Sequence, residues 1–217
     1  MRKVHVHVEF QQPILGTASA DPEIHERYIA SKAPDAPSLR EEVEALGTDA
    51  IEDRSTTVFP KGAEGQPFLW DYQVKGFFKD ACKFMREADG SVSKGIPAYK
   101  GKIDGLMFVS PRHIRLEMPE GAEVGILQRP LRAETAQGPR VALASSEMLP
   151  EGTTCDFDVT LLAEKVGAKS PTKLLAALVE WLSYGQLRGI GQWRNAGYGQ
   201  FACRVTEGDK VLFDNIA

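Results

Sequence analysis

The densest chemistry in the chain lies near its C-terminus, in Gly189-Ile190-Gly191-Gln192-Trp193-Arg194-Asn195-Ala196-Gly197-Tyr198-Gly199. The stretch reads as Gly-apolar-Gly, five residues, then Gly-apolar-Gly. Glycine lacks a Cβ and tolerates positive φ, so such a segment curls tightly and bares a concave row of N–H groups. That row suits a phosphate or another main chain. Between the glycine pairs stand one cation (Arg194), one large ring (Trp193) and two amides (Gln192, Asn195), with Tyr198 as a second ring. These are the groups that hold a sugar-phosphate strand and its bases. The same spacing also fits a tight helix-to-strand connection with no ligand, Trp193 then plugging the core beneath it.

A helix must deliver this stretch and a strand must receive it. Ser170-Pro171 reads as an N-cap with proline at the first helical position, and the helix is expected to run to about Tyr184. Leu174, Leu178, Trp181 and Gly185 line its buried side. Phe201 to Val205 is the expected last strand. The clearest helix elsewhere spans 67–88, where Trp70, Val74, Phe77, Ala81 and Phe84 recur at helical spacing. Lys75, Lys79, Lys83 and Arg86 share the opposite side, as a phosphate track or simply as a solvated face. Residues 90–105, rich in Lys, Gly and Pro, read as a flexible loop. Strands are expected at 106–109, 113–118 and 126–131, with a hairpin partner at 140–144; Arg129 and Arg132 would extend the basic track. Residues 154–161 alternate as a half-exposed strand.

The chain opens with another alternating strand, in which Val4, Val6, Val8 and Phe10 face one way and His5, His7 and Glu9 the other. The polar row fits a solvated or partner-facing sheet surface better than a metal site, because no further ligand cluster is visible. Residues 11–66 read as an insertion: a turn at 13–17, a helix from Pro22 to about Lys32, and a second opened by the capping box Ser38-Leu39-Arg40-Glu41.

With 217 residues and 42% apolar side chains, a single domain of 1–217 with a sizeable core is expected. The net charge is −4. Residues 67–145 nevertheless hold 12 basic and 9 acidic groups, so positive charge gathers in the middle. The excess is too modest for non-specific duplex binding. Cys82, Cys155 and Cys203 form no CxxC pair, which indicates neither a zinc site nor a disulfide framework. No apolar run is long enough to span a bilayer or serve as a signal peptide, so a soluble protein of a reducing cytoplasm is expected, without membrane partner, cofactor or metal.

The glycine-rich stretch resembles the loop of the RAMP superfamily, the repeat-associated RNA-binding proteins of CRISPR systems. There the loop follows the last helix of a ferredoxin-like (RRM-like) domain and leads into the last strand. With the insertion set aside, this chain runs strand, helix, two or more strands, helix, glycine loop, strand, which is the same βαββαβ order. The resemblance implies an α+β, ferredoxin-like domain with an antiparallel sheet and extra β-hairpins, in which 11–66 is a helical, thumb-like insertion. In RAMP backbone subunits a projection in a comparable place contacts the neighbouring subunit or the bound RNA. The chain is short for such a subunit, and its loop carries one arginine rather than a basic cluster. Pro13-Ile14-Leu15-Gly16 and Gln128-Arg129-Pro130-Leu131-Arg132 also resemble uncharacterised bacteriophage and prophage proteins.

The leading expectation is therefore non-catalytic binding of single-stranded nucleic acid, RNA before DNA, by a subunit of a ribonucleoprotein, a homo-oligomer or a phage assembly. Gly189, Gly191, Asn195, Gly197 and Gly199 with Arg194 would hold phosphates, and Trp193 and Tyr198 would stack on bases. Lys75, Lys79, Lys83, Arg129 and Arg132 would lengthen the track. One alternative is a metal-independent endoribonuclease, as some RAMP members are, with His25 as general base; a variant seen in RNA-cutting backbone subunits would use Asp21. Another is a phage structural or assembly protein that uses the loop only for packing. Gly189-x-Gly191 has no helix after it, so a dinucleotide-binding reading fails on context.

Overall fold

The computed structural model describes residues 1–19, 56–135, 138–166 and 172–216. Strand β1 (Arg2–Phe10) keeps the alternation read from the sequence, with Val4, Val6, Val8 and Phe10 all buried. It is central to a five-stranded antiparallel sheet of order β14-β13-β1-β10-β6, with β6 at Met107–Ser110, β10 at Thr154–Leu161, β13 at Phe201–Glu207 and β14 at Lys210–Asp214. Helices α1 (Asp71–Met85) and α3 (Leu174–Arg188) pack on its buried face, where Val74, Phe77, Phe78, Ala81, Leu178 and Trp181 meet the strand valines and phenylalanines. The architecture is α+β with mostly antiparallel sheets.

A second sheet uses both ends of the expected insertion. Strands β2 (Ile14–Leu15), β3 (Ala18–Ser19) and β4 (Thr57–Val58) assemble with the long hairpin β8 (Gly125–Thr135) and β9 (Gly138–Leu149). The residues expected to turn at 13–17 thus include a paired strand, held because Ile14 and Leu15 are fully buried. Buried Glu147 on β9 secures the far end, accepting hydrogen bonds from the Phe59 N–H (2.8 Å) and Lys61 Nζ (2.6 Å). The two expected insertion helices, with His25 and Asp21, lie outside the described residues, as does the Ser170-Pro171 cap.

Three boundaries differ from the sequence reading. The helix expected at 67–88 is shorter because β5 (Phe68–Trp70) pairs with β7 (His113–Arg115). Trp70 consequently sits outside the helix and Phe84 is exposed, while Phe78 takes the deeper place. The stretch read as a loop at 90–105 forms a 3-10 turn at Val92–Gly95 and α2 (Tyr99–Leu106), because Ile96 and Ile103 are drawn fully into the core. Helix α3 starts at Leu174 and ends at Arg188, after a short pairing of β11 (Lys165–Val166) with β12 (Thr172–Lys173).

The outer face of the main sheet is a ladder of acidic and basic side chains. His5 lies 3.0 Å from both Asp158 and Asp156, and His7 lies 2.9 Å from Asp156. Lys3 contacts Asp158 at 2.8 Å, and Arg204 contacts Asp214 at 2.7 Å. Aspartates of β10 and β14 therefore face the Lys, His and Arg row of the inner strands. Partial burial acts to raise the Asp158 pKa, but hydrogen bonds from Lys3 and His5 outweigh it and hold the carboxyl below its ordinary value. Hydrogen bonds from Arg2 and Arg204 do the same for Glu207 and Asp214. A depressed carboxylate pKa stabilises the fold above the unfolded value of about 4 and ceases to do so as pH falls through the folded one. Thermal melts are expected to drop as pH falls below about 4, and Lys3→Ala to melt lower at neutral pH and to lose less on acidification. An unchanged acid limb for that variant would contradict the ladder.

Candidate nucleic-acid interface

The loop from 189 to 199 is closed at its neck and open at its tip. Gly189 terminates α3 with its N–H donated to the Gly185 carbonyl (3.0 Å) and φ of 69°. The Ile190 N–H donates to the Gly199 carbonyl (2.9 Å), and the Gly199 N–H to the Pro13 carbonyl (2.8 Å). At Gly189 a Cβ would come within 2.6 Å of the Gly199 backbone, so the two chains touch where only glycine permits it. Gly189 and Gly199 are buried, and their amides are spent within the fold. Gly191, with φ of 95°, leans on the Leu15 carbonyl, whereas Gly197 faces open space.

At the tip, Trp193 holds φ of 50°, a left-handed conformation uncommon outside glycine, which the neighbouring glycines and a 3-10 turn at Arg194–Ala196 support. Its side chain is 42% exposed and stacks on Tyr198, ring centroids 5.2 Å apart and 11° from parallel. The Arg129 guanidinium reaches across from β8 and lies 4.2 Å over the Trp193 ring. Arg129 Nε and Nη1 are out of solvent yet have no hydrogen-bond partner among the described residues. The main-chain N–H groups of Gln192, Trp193 and Arg194 are likewise without a partner among them.

Other expected contributors are engaged elsewhere. Arg194 Nη1 bonds Asp80 Oδ2 of α1 at 2.7 Å, and Arg188 Nε bonds the same oxygen at 3.0 Å. Arg188 Nη1 also bonds Asn195 Oδ1 at 2.6 Å. These contacts strap the loop to α1; neither Asp80 nor Arg188 was singled out in the sequence, although Arg188 immediately precedes the first glycine. Lys83 comes close to the loop, its Nζ lying over the Phe84 ring (5.3 Å) that Arg188 also covers (5.4 Å). Lys79 is instead paired with Asp104 of α2 at 2.6 Å, and Lys75 lies over Phe108 of β6 at 4.7 Å. The helix row is thus divided: Lys83 joins the loop flank, and Lys75 and Lys79 follow the α2 and β6 flank. Arg132 lies in β8 with its backbone paired to Val141; its side chain is outside the described set.

No family model and no curated protein matches this sequence. Among solved structures, a chain from a cryo-EM structure of the Type III-B Cmr-beta bound to cognate target RNA is similar at 12% identity, with a TM-score of 0.49. The match covers 94% of this chain and 60% of that one, so this chain spans less than two thirds of its neighbour's length.

Among the described residues, no group of three or more His, Cys, Asp or Glu side chains is placed to hold a metal ion, and no helix is long and apolar enough to cross a membrane. The three cysteines are buried and free. Burial pushes the Cys82 thiol up to about 11 and the Cys203 thiol up to about 12, so neither is a ready nucleophile.

Proposed function

We propose that this chain is a RAMP-type, ferredoxin-like domain, with 11–66 inserted into it, that binds single-stranded nucleic acid without cutting it. RNA is the preferred ligand and single-stranded DNA the weaker one, and the setting is a cytoplasmic ribonucleoprotein or phage assembly of several subunits. For the fold, the support is the strand order β13-β1-β10-β6 with α1 and α3 on one face, and the loop between α3 and β13.

One observation carries the function: an exposed tryptophan stacked on a tyrosine and capped by an arginine whose Nε and Nη1 lack hydrogen-bond partners among the described residues. Buried polar groups rarely stay unpaired, so a guanidinium held this way is poised for an acceptor that arrives from outside. A base takes the Trp193 face, Arg129 turns to the adjoining phosphate, and the open amides of Gln192 to Arg194 take phosphate oxygens. Gly189 and Gly199 shape the loop without touching the strand. Lys83 extends the track from the loop; Lys75, Lys79 and Arg132 contribute less directly.

Trp193→Ala tests this by fluorescence anisotropy with labelled oligouridylate. The expected loss is about 5- to 150-fold in affinity, the range of one base–aromatic stack; a folded variant that binds as tightly as the parent rejects the reading. The endoribonuclease alternative rests on His25 and Asp21, and incubation of labelled RNA with the parent and His25→Ala decides it. The assembly alternative draws support from the packing use of Gly189 and Gly199. Oligomers sedimenting without nucleic acid, together with no oligonucleotide binding, would favour it.

A further inference from the structure

A second group of rings lies at the start of α1, and nothing in the proposed function uses it. The β5–β7 register sets Phe68 opposite Arg115 and Trp70 opposite His113, while Leu69 and Ile114 between them are buried. Period-two alternation therefore puts Phe68, Trp70, His113 and Arg115 on one side of this ladder, with Phe68 buried and His113 and Arg115 exposed. The His113 ring lies 4.4 Å from Phe68 and 4.8 Å from Trp70. Tyr72, in the first turn of α1, stacks on Trp70 at 5.9 Å and 14° from parallel. The Arg112 guanidinium lies 5.3 Å over Trp70, its Nη1 3.2 Å from Asp71. Tyr72 is 51% exposed and the Arg112 side chain 68% exposed.

The helix turn that bears this cluster and the glycine loop both approach the segment 15–17. Gly191 leans on the Leu15 carbonyl, and two residues further on Thr17 Oγ1 accepts a hydrogen bond from Gln73 Nε2 at 2.6 Å, one residue past Tyr72. Two near-parallel rings with an open face suit a planar π-system. Exposed Arg112 and Arg115 outnumber Asp71 and complement a polyanion rather than an acidic protein surface.

Resting on the proposed function, we propose that Trp70 and Tyr72 form a second base-stacking platform, so that one single strand is gripped at two points. Arg112 and Arg115 hold the phosphates on either side of the stacked base. The test is anisotropy with fluorescein-labelled oligouridylates of about 4 and about 16 nucleotides, the span single-strand modules cover. Tyr72→Ala is expected to weaken the longer ligand by about 5- to 100-fold and Tyr72→Phe to restore it. Arg112→Ala, at a highly exposed position, is expected to make the slope of log affinity against log salt shallower by about 0.7. In Trp193→Phe protein, the longer ligand should quench emission from Trp70, Trp181 being buried.

If Tyr72→Ala and Arg112→Ala both bind as the parent does while Trp193→Ala is weakened, the second platform is wrong and the proposed function stands. If the parent binds neither ligand, both fall. Loss of self-association in Tyr72→Ala with unchanged oligonucleotide affinity would assign the rings to a protein partner and overturn the proposal.

Discussion

Gly199→Ala is expected to dismantle the loop and lower the melting temperature by roughly 4–20 °C. Gly199 holds φ of 71°, where an L side chain costs about 1–2 kcal/mol. The added Cβ would also fall onto the Ile190 carbonyl oxygen. That atom belongs to a backbone fixed by the Ile190 N–H bond to Gly199 and by the Gly199 bond to Pro13, so it cannot swing aside as a flexible side chain would. Overpacking of this kind costs about 1–3 kcal/mol, bringing the total to about 2–5 kcal/mol. Gly197 is the matched control: its φ is 90°, but a Cβ there meets nothing within 4 Å, so Gly197→Ala is strained without a clash. Calorimetry on the two variants checks the difference. Equal melting temperatures would mean that the neck of the loop is not pinched as described.

Trp181→Ala is expected to cost about 3–5 kcal/mol, the usual loss for a large buried ring. Trp181 is fully buried in α3, tilted against Phe78 at 5.9 Å, and donates its indole N–H to Ser93 Oγ at 2.7 Å. Ser93 in turn hydrogen bonds to Glu180, whose carboxylate also accepts the N–H groups of Val92 (2.7 Å) and Ser93 (3.0 Å). The residue therefore both fills the core and fastens the segment at 92–95 to α3. Trp181→Phe keeps most of the volume and should lose about 1–2 kcal/mol, from the hydrogen bond and a small cavity. Denaturant midpoints measure both. A Trp181→Ala midpoint near the parental one would show that the core does not depend on this ring.

Local pattern made the central strands legible. β1 and β10 alternate strictly because one face of the sheet is buried and the other is wet, and the middle of α1 shows its apolar stripe. What could not be read depended on partners far along the chain. Residues 68–70 continue a helical pattern, yet pairing with 113–115 captures them as strand. Residues 92–106 look like a loop by composition, and only the burial of Ile96 and Ile103 makes them helical. Strand β14 was missed although Gly208-Asp209 is a two-residue hairpin signal between Glu207 and Lys210. At the candidate site, Trp193 and Arg129 stood out by residue type, but their stacking joins positions 64 residues apart in sequence. Arg194 read as a free cation because its partner, Asp80, lies 114 residues earlier.

The pairing of so many cations within the fold has a consequence for how a strand would be gripped. Around the loop, Arg188 and Arg194 already sit against Asp80 and Lys79 against Asp104, which reduces the positive charge there that could displace the condensed counterions around a polyanion. A hold built that way would draw more of its strength from flat surfaces pressed together, and would loosen less as ionic strength rises than one in which those cations were unpaired. Such a module would tolerate many base sequences and stay attached where purely electrostatic binders let go.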